Sequence, residues 1–249
     1  MALAWGRRFA ILAIFVAAVA VLAPASLVET PLAARTQNRL RLSESAGFWW
    51  KGRGTLALAD GSARLPVAWR IELSPLLRGR FVTHVIDATG DAARGTITTD
   101  ARRVEVRDAH VRIPAQIVGT LDPRLRGIAL GGAIVVDAPA LNHGDAPSGA
   151  LRATWERARI VAGETVIDLG TVSLAAAPAR DGWSGTIGNT GGDIVVTGTV
   201  NARGSGAEAA LSLQPTAATP TNVRDLLPRL GSPDGSGGVR IAWRGERAG

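Results

Sequence analysis

Histidines are the residues of this chain with the widest chemical use, and there are three of them, His84, His110 and His143. None lies within four residues of another, and neither HExxH nor HxH occurs. Zinc hydrolase chemistry depends on such spacing, so the sequence gives it little support. His84 and His110 fall in predicted strands, where we expect them to be sheet-face residues rather than ligands.

The other stretches that could form a ligand or catalytic site also lack the spacing that such sites need. The glycine-rich stretches IGNTGGD (187–193) and PDGSGG (233–238) lack the strand-to-helix context of phosphate loops, and PDGSGG lacks the carboxylate spacing of a calcium loop, so we predict turns. No GxSxG elbow or GxxxxGK[ST] loop occurs. Asp87 and Asp91 form a loop pair with nothing to mark a cleft. With no cysteine in the chain, thiol chemistry is also excluded. We therefore predict a binding or assembly module that is not an enzyme and uses no cofactor or metal.

The charge of the chain does not indicate nucleic acid as a partner. There are 28 basic and 21 acidic residues, a net charge of +7, and every basic residue except Lys51 is arginine. Nucleic-acid patches need clustered cations with stacking aromatics. Here the arginines are scattered over strand and turn positions.

The N-terminal segment predicts a membrane anchor. Arg7 and Arg8 precede an apolar run from Phe9 to Val28, about 20 residues or roughly 30 Å as a helix, which matches one hydrocarbon core. The flanking arginines place the N-terminus in the cytoplasm. A cleaved signal peptide with its site at Ala23-Pro24-Ala25 is the alternative. A retained single-pass anchor is favoured because the apolar run continues past that site. We assign residues 1–29 to the cytoplasmic N-terminus and anchor.

Residues 30–46 predict a juxtamembrane linker or short helix, with Thr30 and Pro31 as its first residues. From Gly47 the hydrophobic period becomes two, and residues 47–249 are assigned to a periplasmic β domain. Between Arg64 and Leu73, apolar odd-numbered residues alternate with wetter even-numbered ones, as in a half-buried strand. Leu56 and Leu58 precede this strand across Asp60-Gly61, a hairpin signal.

Further strands follow at short spacing without a βαβ rhythm, so the predicted fold is mainly β: a curved antiparallel sheet after a single transmembrane helix. The predicted strands are 80–88, 95–99, 103–106, 109–113, 128–136, 149–160, 169–176, 182–187, 193–200, 208–213 and 238–243. One short C-terminal helix interrupts them. Thr221 or Asn222 is its predicted N-terminal cap, and Gly231 is its predicted stop. Its apolar stripe consists of Val223, Leu226, Leu227 and Leu230.

The scarce large aromatics gather in one place. The chain has 7 Trp and 4 Phe, yet Phe48, Trp49, Trp50 and Trp69 lie close together in sequence. Trp50 falls in phase with Leu56 and Leu58. We predict that these rings close the end of a sheet core near the membrane, where Gly52 and Gly54 relax the backbone.

Ordered motifs across the chain resemble the protein N family of the bacterial type II secretion system. The first is W-x-G-x-(G/A), here Trp50, Gly52 and Gly54. The second is W-x-(I/L)-x-L-x-P-x-L-L-x-G, here Trp69, Leu73, Pro75, Leu76, Leu77 and Gly79. Later elements are Gly131-Gly132, Gly149 followed by Trp155, Leu169-Gly170, and LLPRLGSPDGSG (226–237), which contains Leu230 and Gly231.

The resemblance implies a non-enzymatic inner-membrane protein with a periplasmic domain, which contacts other membrane components of the secretion apparatus. It carries no catalytic residues over to this chain, and it marks the tryptophans as scaffold positions. A different function stays open, in which an apolar concave face of the curved sheet handles lipid between membranes. An open apolar trough of several hundred Å² would favour that alternative.

Overall fold

A computed structural model describes residues 23–86, 93–100, 103–121, 125, 127–143, 147–180, 182–203 and 206–246. It confirms the mainly antiparallel β fold, because fifteen strands of this part of the chain form one open sheet. The strands are β1 Leu40–Phe48, β2 Lys51–Leu58, β3 Arg64–Glu72, β4 Phe81–Ile86, β5 Ala93–Thr99, β6 Val104–Pro114, β7 Ile128–His143, β8 Ser148–Gly149, β9 Leu151–Ala162, β10 Thr165–Ala179, β11 Gly182–Thr190, β12 Ile194–Arg203, β13 Gly206–Pro215, β14 Ser232–Pro233 and β15 Val239–Glu246.

The sheet follows the chain almost strand by strand. Its order is β1-β2-β3-β4-β5-β6-β7-β9-β10-β11-β12-β13-β15-β14, and β8 pairs with β7. Successive strands therefore run up and down, so the connections alternate between two opposite ends. We call the end that holds the β1–β2 and β3–β4 connections the aromatic end, and the other the helical end.

Helices are few and short. They are a 3₁₀ turn at Ala25–Val28, α1 Glu29–Arg35, α2 Leu73–Leu76, α3 Ala115–Leu121 and α4 Thr221–Leu230. The C-terminal helix was predicted, but neither Thr221 nor Asn222 caps it, because Thr221 is its first residue and Pro220 takes the N-cap position. Helix α3 was missed because its apolar residues directly follow a strand of the same composition. Within the part of the chain that the structure describes, no helix has the length and apolarity needed to span a bilayer.

The start of the chain differs from expectation in two ways. Most of the predicted anchor, up to residue 22, lies outside the described residues, and its last residues form the 3₁₀ turn after Pro24 rather than a continuous helix. The predicted linker of residues 30–46 is partly helical, since α1 falls in it. The sheet, however, begins at Leu40 rather than Gly47, since Leu40 and Leu42 bury one side of β1.

The alternation predicted for β3 is confirmed at the two ends of the strand, whereas its four central residues, 66–69, are all half-buried and Leu73 lies in α2 rather than in the strand. Leu65 and Ile71 are buried, while Arg64, Arg70 and Glu72 are exposed. The preceding Asp60-Gly61 connection is longer than a two-residue hairpin, because the Leu58 N–H donates to the Ala63 carbonyl at 3.0 Å. The two strands predicted at 103–106 and 109–113 are one strand, β6, with a left-handed residue at Asp108 (φ 51°).

The apolar interior is divided between two clusters, and each includes a helix at the helical end. The N-terminal core contains Leu40, Leu58, Ala63, Leu65 and, from α3, Ile117. The C-terminal core contains Ala158, Ile167, Leu169, Ile194, Val196 and Val239 together with Val223 and Leu227 of α4. Residues of non-adjacent strands share each core, so the sheet must curve around its helix.

Bulges bend the middle of the sheet. Gly132 in β7 has φ 89° and lies opposite Arg157 of β9, whose φ is 49°. The pairing of β7 with β9 shifts register at this point, and so does the pairing of β9 with β10 around Gly170. A bulge bends its strand and increases the local twist. Three neighbouring strands therefore bend together beside the C-terminal core.

Candidate functional site

The aromatic end is built around Trp69. Its indole Nε1–H donates to the Trp49 carbonyl at 2.8 Å, and Trp69 pairs directly with Gly52 on β2. A Cβ at Gly52 would lie 2.6 Å from Cζ2 of the Trp69 ring. Only glycine leaves room for the indole to lie across the strand, so Gly52 and Trp69 act as one packing unit.

Gly54 is small for the same reason. A Cβ at this position would lie 2.8 Å from Cδ1 of Leu42 on β1. Neither Gly52 nor Gly54 has a positive φ. The prediction that these glycines relax the backbone was therefore wrong, since each provides space for a neighbouring side chain.

Trp50 lies in the β1–β2 turn rather than in the core with Leu56 and Leu58. Its ring stacks on Phe48 with centroids 5.9 Å apart and planes 4° apart, and its carbonyl accepts the Ile71 N–H at 2.6 Å. Phe48 also bridges to Pro24, and the Trp49 N–H donates to the Ala23 carbonyl at 3.1 Å. The chain that follows residue 22 is thus fixed to the aromatic end.

The neighbouring β3–β4 connection projects from the same end. The Pro75 carbonyl accepts from the N–H groups of Arg78 and Arg80 at 2.9 and 3.0 Å, and Gly79 takes φ 70°, a left-handed conformation that favours glycine. This hydrogen-bonded turn holds Leu77 outward, with 91% of its surface exposed. Pro75 and Gly79 therefore shape the turn, while Leu77 is its apolar tip.

The remaining predicted positions lie far along the sheet. The Trp155 Nε1–H donates to the Gly131 carbonyl at 2.7 Å beside the β7–β9 bulge. Gly170 takes φ 67° where a Cβ would collide with the Thr190 carbonyl oxygen. Trp155 and Gly170 thus help to shape the bulged region.

At the end of α4, the prediction was only half right. Leu230 is 42% exposed instead of completing the buried stripe. Gly231 does end the helix, but in an extended conformation, and a Cβ there would collide with the Arg240 carbonyl oxygen on β15. Close approach of two backbone segments, rather than a left-handed cap, requires the glycine.

A network that sequence reasoning missed is centred on Asn189. Its side-chain amide donates to the carbonyls of Leu169 at 2.9 Å, Gly191 at 3.1 Å and Ile194 at 2.7 Å, and its Oδ1 accepts the Val196 N–H at 2.7 Å. These bonds join β10, β11 and β12 at the C-terminal core. The predicted turn in IGNTGGD is thus confirmed, and this asparagine organises it.

His84 and His110 lie in strands, as expected, and both make cross-strand contacts. His84 Nε2 lies 2.7 Å from Glu72 Oε1 and its Nδ1 lies 3.0 Å from Thr96 Oγ1. His110 Nδ1 lies 2.5 Å from Asp137 Oδ1. The side chain of His143, and both Asp87 and Asp91, lie outside what the structure describes.

The row of Thr96, His84 and Glu72 has the composition of a nucleophile, base and orienting acid. Its members lie on three successive strands, with Thr96 directly opposite His84. Such pairs form readily across a sheet face, so cross-strand pairing accounts for the row. Among the described residues, no group of three or more histidine and carboxylate side chains is placed to hold a metal ion.

Comparison with protein families identifies the family of the chain. A model of the family described as "Type II secretion system (T2SS), protein N" matches residues 38–242. The chain belongs to this family. The match extends from just before β1 into β15 and so includes both cores, the aromatic end and α4. Comparisons with curated proteins and with solved structures give no match.

Proposed function

We propose that this protein N family member is a non-enzymatic accessory component of the type II secretion system, anchored in the inner membrane. Its β domain lies in the periplasm and contacts other inner-membrane components of the apparatus during export of folded proteins across the outer membrane. The observation that carries the proposal is the family match over residues 38–242. The apolar run before residue 23 supports the anchor.

The packing of the interior supports protein contact over lipid handling. In the C-terminal core, Val223 and Leu227 of α4 are completely buried between strands. In the N-terminal core, Ile117 of α3 has the same role. Within the described residues, side chains of these helices occupy the apolar face on which acyl chains would lie.

Deletion of the gene tests this function. We expect secreted proteins to be stranded in the periplasm, or their release to fall, while the lipid composition of the outer membrane stays normal. Restoring the gene with His84, His110 and His143 all replaced by alanine should restore release, because the proposal gives these residues no metal or acid–base role. Normal release of every substrate together with altered outer-membrane lipids would instead favour lipid handling.

The anchor is tested separately by topology. A reporter that is active only in the periplasm, fused after Gly249, should be active, and the protein should remain in membranes after a high-pH wash. A soluble mature form that begins near Ser26 would show that the N-terminal segment is cleaved.

A further inference from the structure

The aromatic end of the sheet combines an exposed apolar tip with exposed cations. Leu77, held out by the α2 turn, is 91% exposed, and both Arg78 and Arg80 beside it are exposed. Neither arginine forms an ion pair with any residue that the structure describes. Backbone N–H groups of residues 78–80 donate to the carbonyls of Pro75 and Leu76, and these hydrogen bonds keep Leu77 on the outside of the turn.

Other apolar and cationic groups share this end. Leu27 in the 3₁₀ turn is 58% exposed, Phe48 is partly exposed, and Lys51 beside the Trp49-Trp50 turn is exposed. Tryptophans, exposed leucines and basic residues together are typical of segments that lie at the boundary between headgroups and acyl chains. At the helical end, the described β2–β3 turn exposes Ala59, Asp60, Gly61 and Ser62, none of which is a large apolar or a cationic residue.

Charge separates the two ends along the rest of the sheet as well. In the described connections at the aromatic end, the cations are Arg78, Arg80, Arg103 and Arg180, against one carboxylate, Asp100. In the described connections between strands at the helical end, five carboxylates, Asp60, Glu164, Asp193, Asp225 and Asp234, outnumber the two arginines of α4, Arg224 and Arg229. The cationic end is also the end to which the chain after residue 22 is fixed through Phe48 and Trp49.

We propose that the β3–β4 tip, residues 73–80, docks on the bilayer that holds the N-terminal segment, with Leu77 entering the interface and Arg78 and Arg80 binding anionic headgroups. The occupant is a lipid surface because the apolar run of residues 9–22 leads directly into this end of the sheet. Docking would hold the strands upright on the membrane and direct the helical end away from it. This inference rests on the anchor proposed above.

The absence of cysteine allows one environment-sensitive fluorophore to be attached at a chosen position. Ser74→Cys labels the exposed tip and leaves Leu77 intact, and Ala59→Cys labels the opposite end of β2 and β3. Nine strand residues separate the two ends, about 30 Å. The full chain is placed in vesicles of phosphatidylcholine with phosphatidylglycerol, and retention after a high-pH wash is measured first.

We expect the label at Ser74 to shift to shorter wavelength and to be quenched by spin-labelled lipid, while the label at Ala59 stays accessible to an aqueous quencher. Leu77→Asn should reduce the shift at Ser74. Arg78→Ala with Arg80→Ala should lower the docking equilibrium about five-fold for each arginine. The matched pair Arg64→Ala with Arg240→Ala, exposed at the helical end, should leave it unchanged.

Each failure has a distinct meaning. Release of the protein at high pH would contradict the anchor. If the protein is retained but the label at Ser74 stays accessible to the aqueous quencher, the docking proposal is overturned. It is also overturned if the label shift is the same without phosphatidylglycerol, and the same for the variant pair at Arg78 and Arg80 as for the pair at Arg64 and Arg240. A shift at Ser74 that occurs only after addition of purified secretion components would also overturn it, and would show that the tip binds a protein.

Discussion

Each of the two cores of this sheet packs strands against a helix, but the side chains of the C-terminal core are more completely buried. The C-terminal core contains four large side chains with less than 2% exposure, Ile194, Leu227, Val223 and Val239. Every member of the N-terminal core keeps slightly more exposure than these four, and its helix contributes one buried core residue, Ile117, instead of two. The N-terminal half, however, contains the aromatic end. The more closed core is therefore distant from the surface proposed to meet the membrane, and stability and docking depend on different residues.

The largest expected effect lies in the C-terminal core. Leu227→Ala should lower the free energy of unfolding by about 3–5 kcal/mol, because the side chain is completely buried and its removal leaves a cavity. Ile117→Ala in the other core should cost less, about 2–3 kcal/mol. Leu230 lies on the same helix as Leu227 but is exposed, so Leu230→Ala should change the free energy of unfolding by less than about 0.5 kcal/mol. Urea denaturation measures all three, and an equal cost at Leu227 and Leu230 would mean that α4 is rotated.

Trp69 tests the aromatic end of the other half. The sequence alone predicts a loss of about 3–5 kcal/mol for Trp69→Ala if the ring is fully buried. Because the structure leaves the ring partly exposed, we expect about 2–3 kcal/mol. Trp69→Phe should lose about 1 kcal/mol through the hydrogen bond to Trp49. Arg70→Ala on the opposite face should stay within about 0.5 kcal/mol. Similar losses at positions 69 and 70 would show that the strand register is wrong.

The smallest effect compares one tripeptide that occurs in both halves. Asp60-Gly61-Ser62 and Asp234-Gly235-Ser236 share two bonds, in which the serine N–H and hydroxyl donate to the aspartate at 2.9 and 2.7 Å. These bonds, with the backbone N–H first in importance, lower the pKa of both aspartates from the usual 3.8. Asp234 also accepts from Gly238 at 3.1 Å and from Gln214.

A lowered pKa in the folded state means that each ionised aspartate stabilises the fold above pH 3.8, and that this contribution disappears as the pH falls through the folded-state pKa. At neutral pH, Asp234→Asn should therefore lower the urea midpoint more than Asp60→Asn does. Below pH 3.8, the urea midpoint of each variant should lie closer to that of the unmodified protein than it does at neutral pH. A greater loss for Asp60→Asn would contradict the extra contacts of Asp234.

Much of this arrangement could be predicted from period and turn chemistry. The alternation of Leu65 and Ile71 with Arg64 and Arg70 predicted which face of β3 is buried, and the glycine-rich stretches were correctly predicted to be turns. Period alone could not separate β1 from a short helix, because a brief stretch with leucines two apart and arginines between them suits both. Contacts between distant strands stay hidden in a sequence, which is why the roles of Gly52, Gly231 and Asn189 came only from the structure.

The central claim is that the β domain acts by contact with other components of the secretion apparatus. A photo-crosslinking amino acid placed in turn at Ile86, Val166 and Val195, exposed apolar positions away from the tip, tests it in living cells. We predict crosslinks from at least one position to inner-membrane components of the type II secretion system, which disappear when the apparatus is deleted. Crosslinks to lipid alone, or protein crosslinks that persist without the apparatus, would contradict the claim.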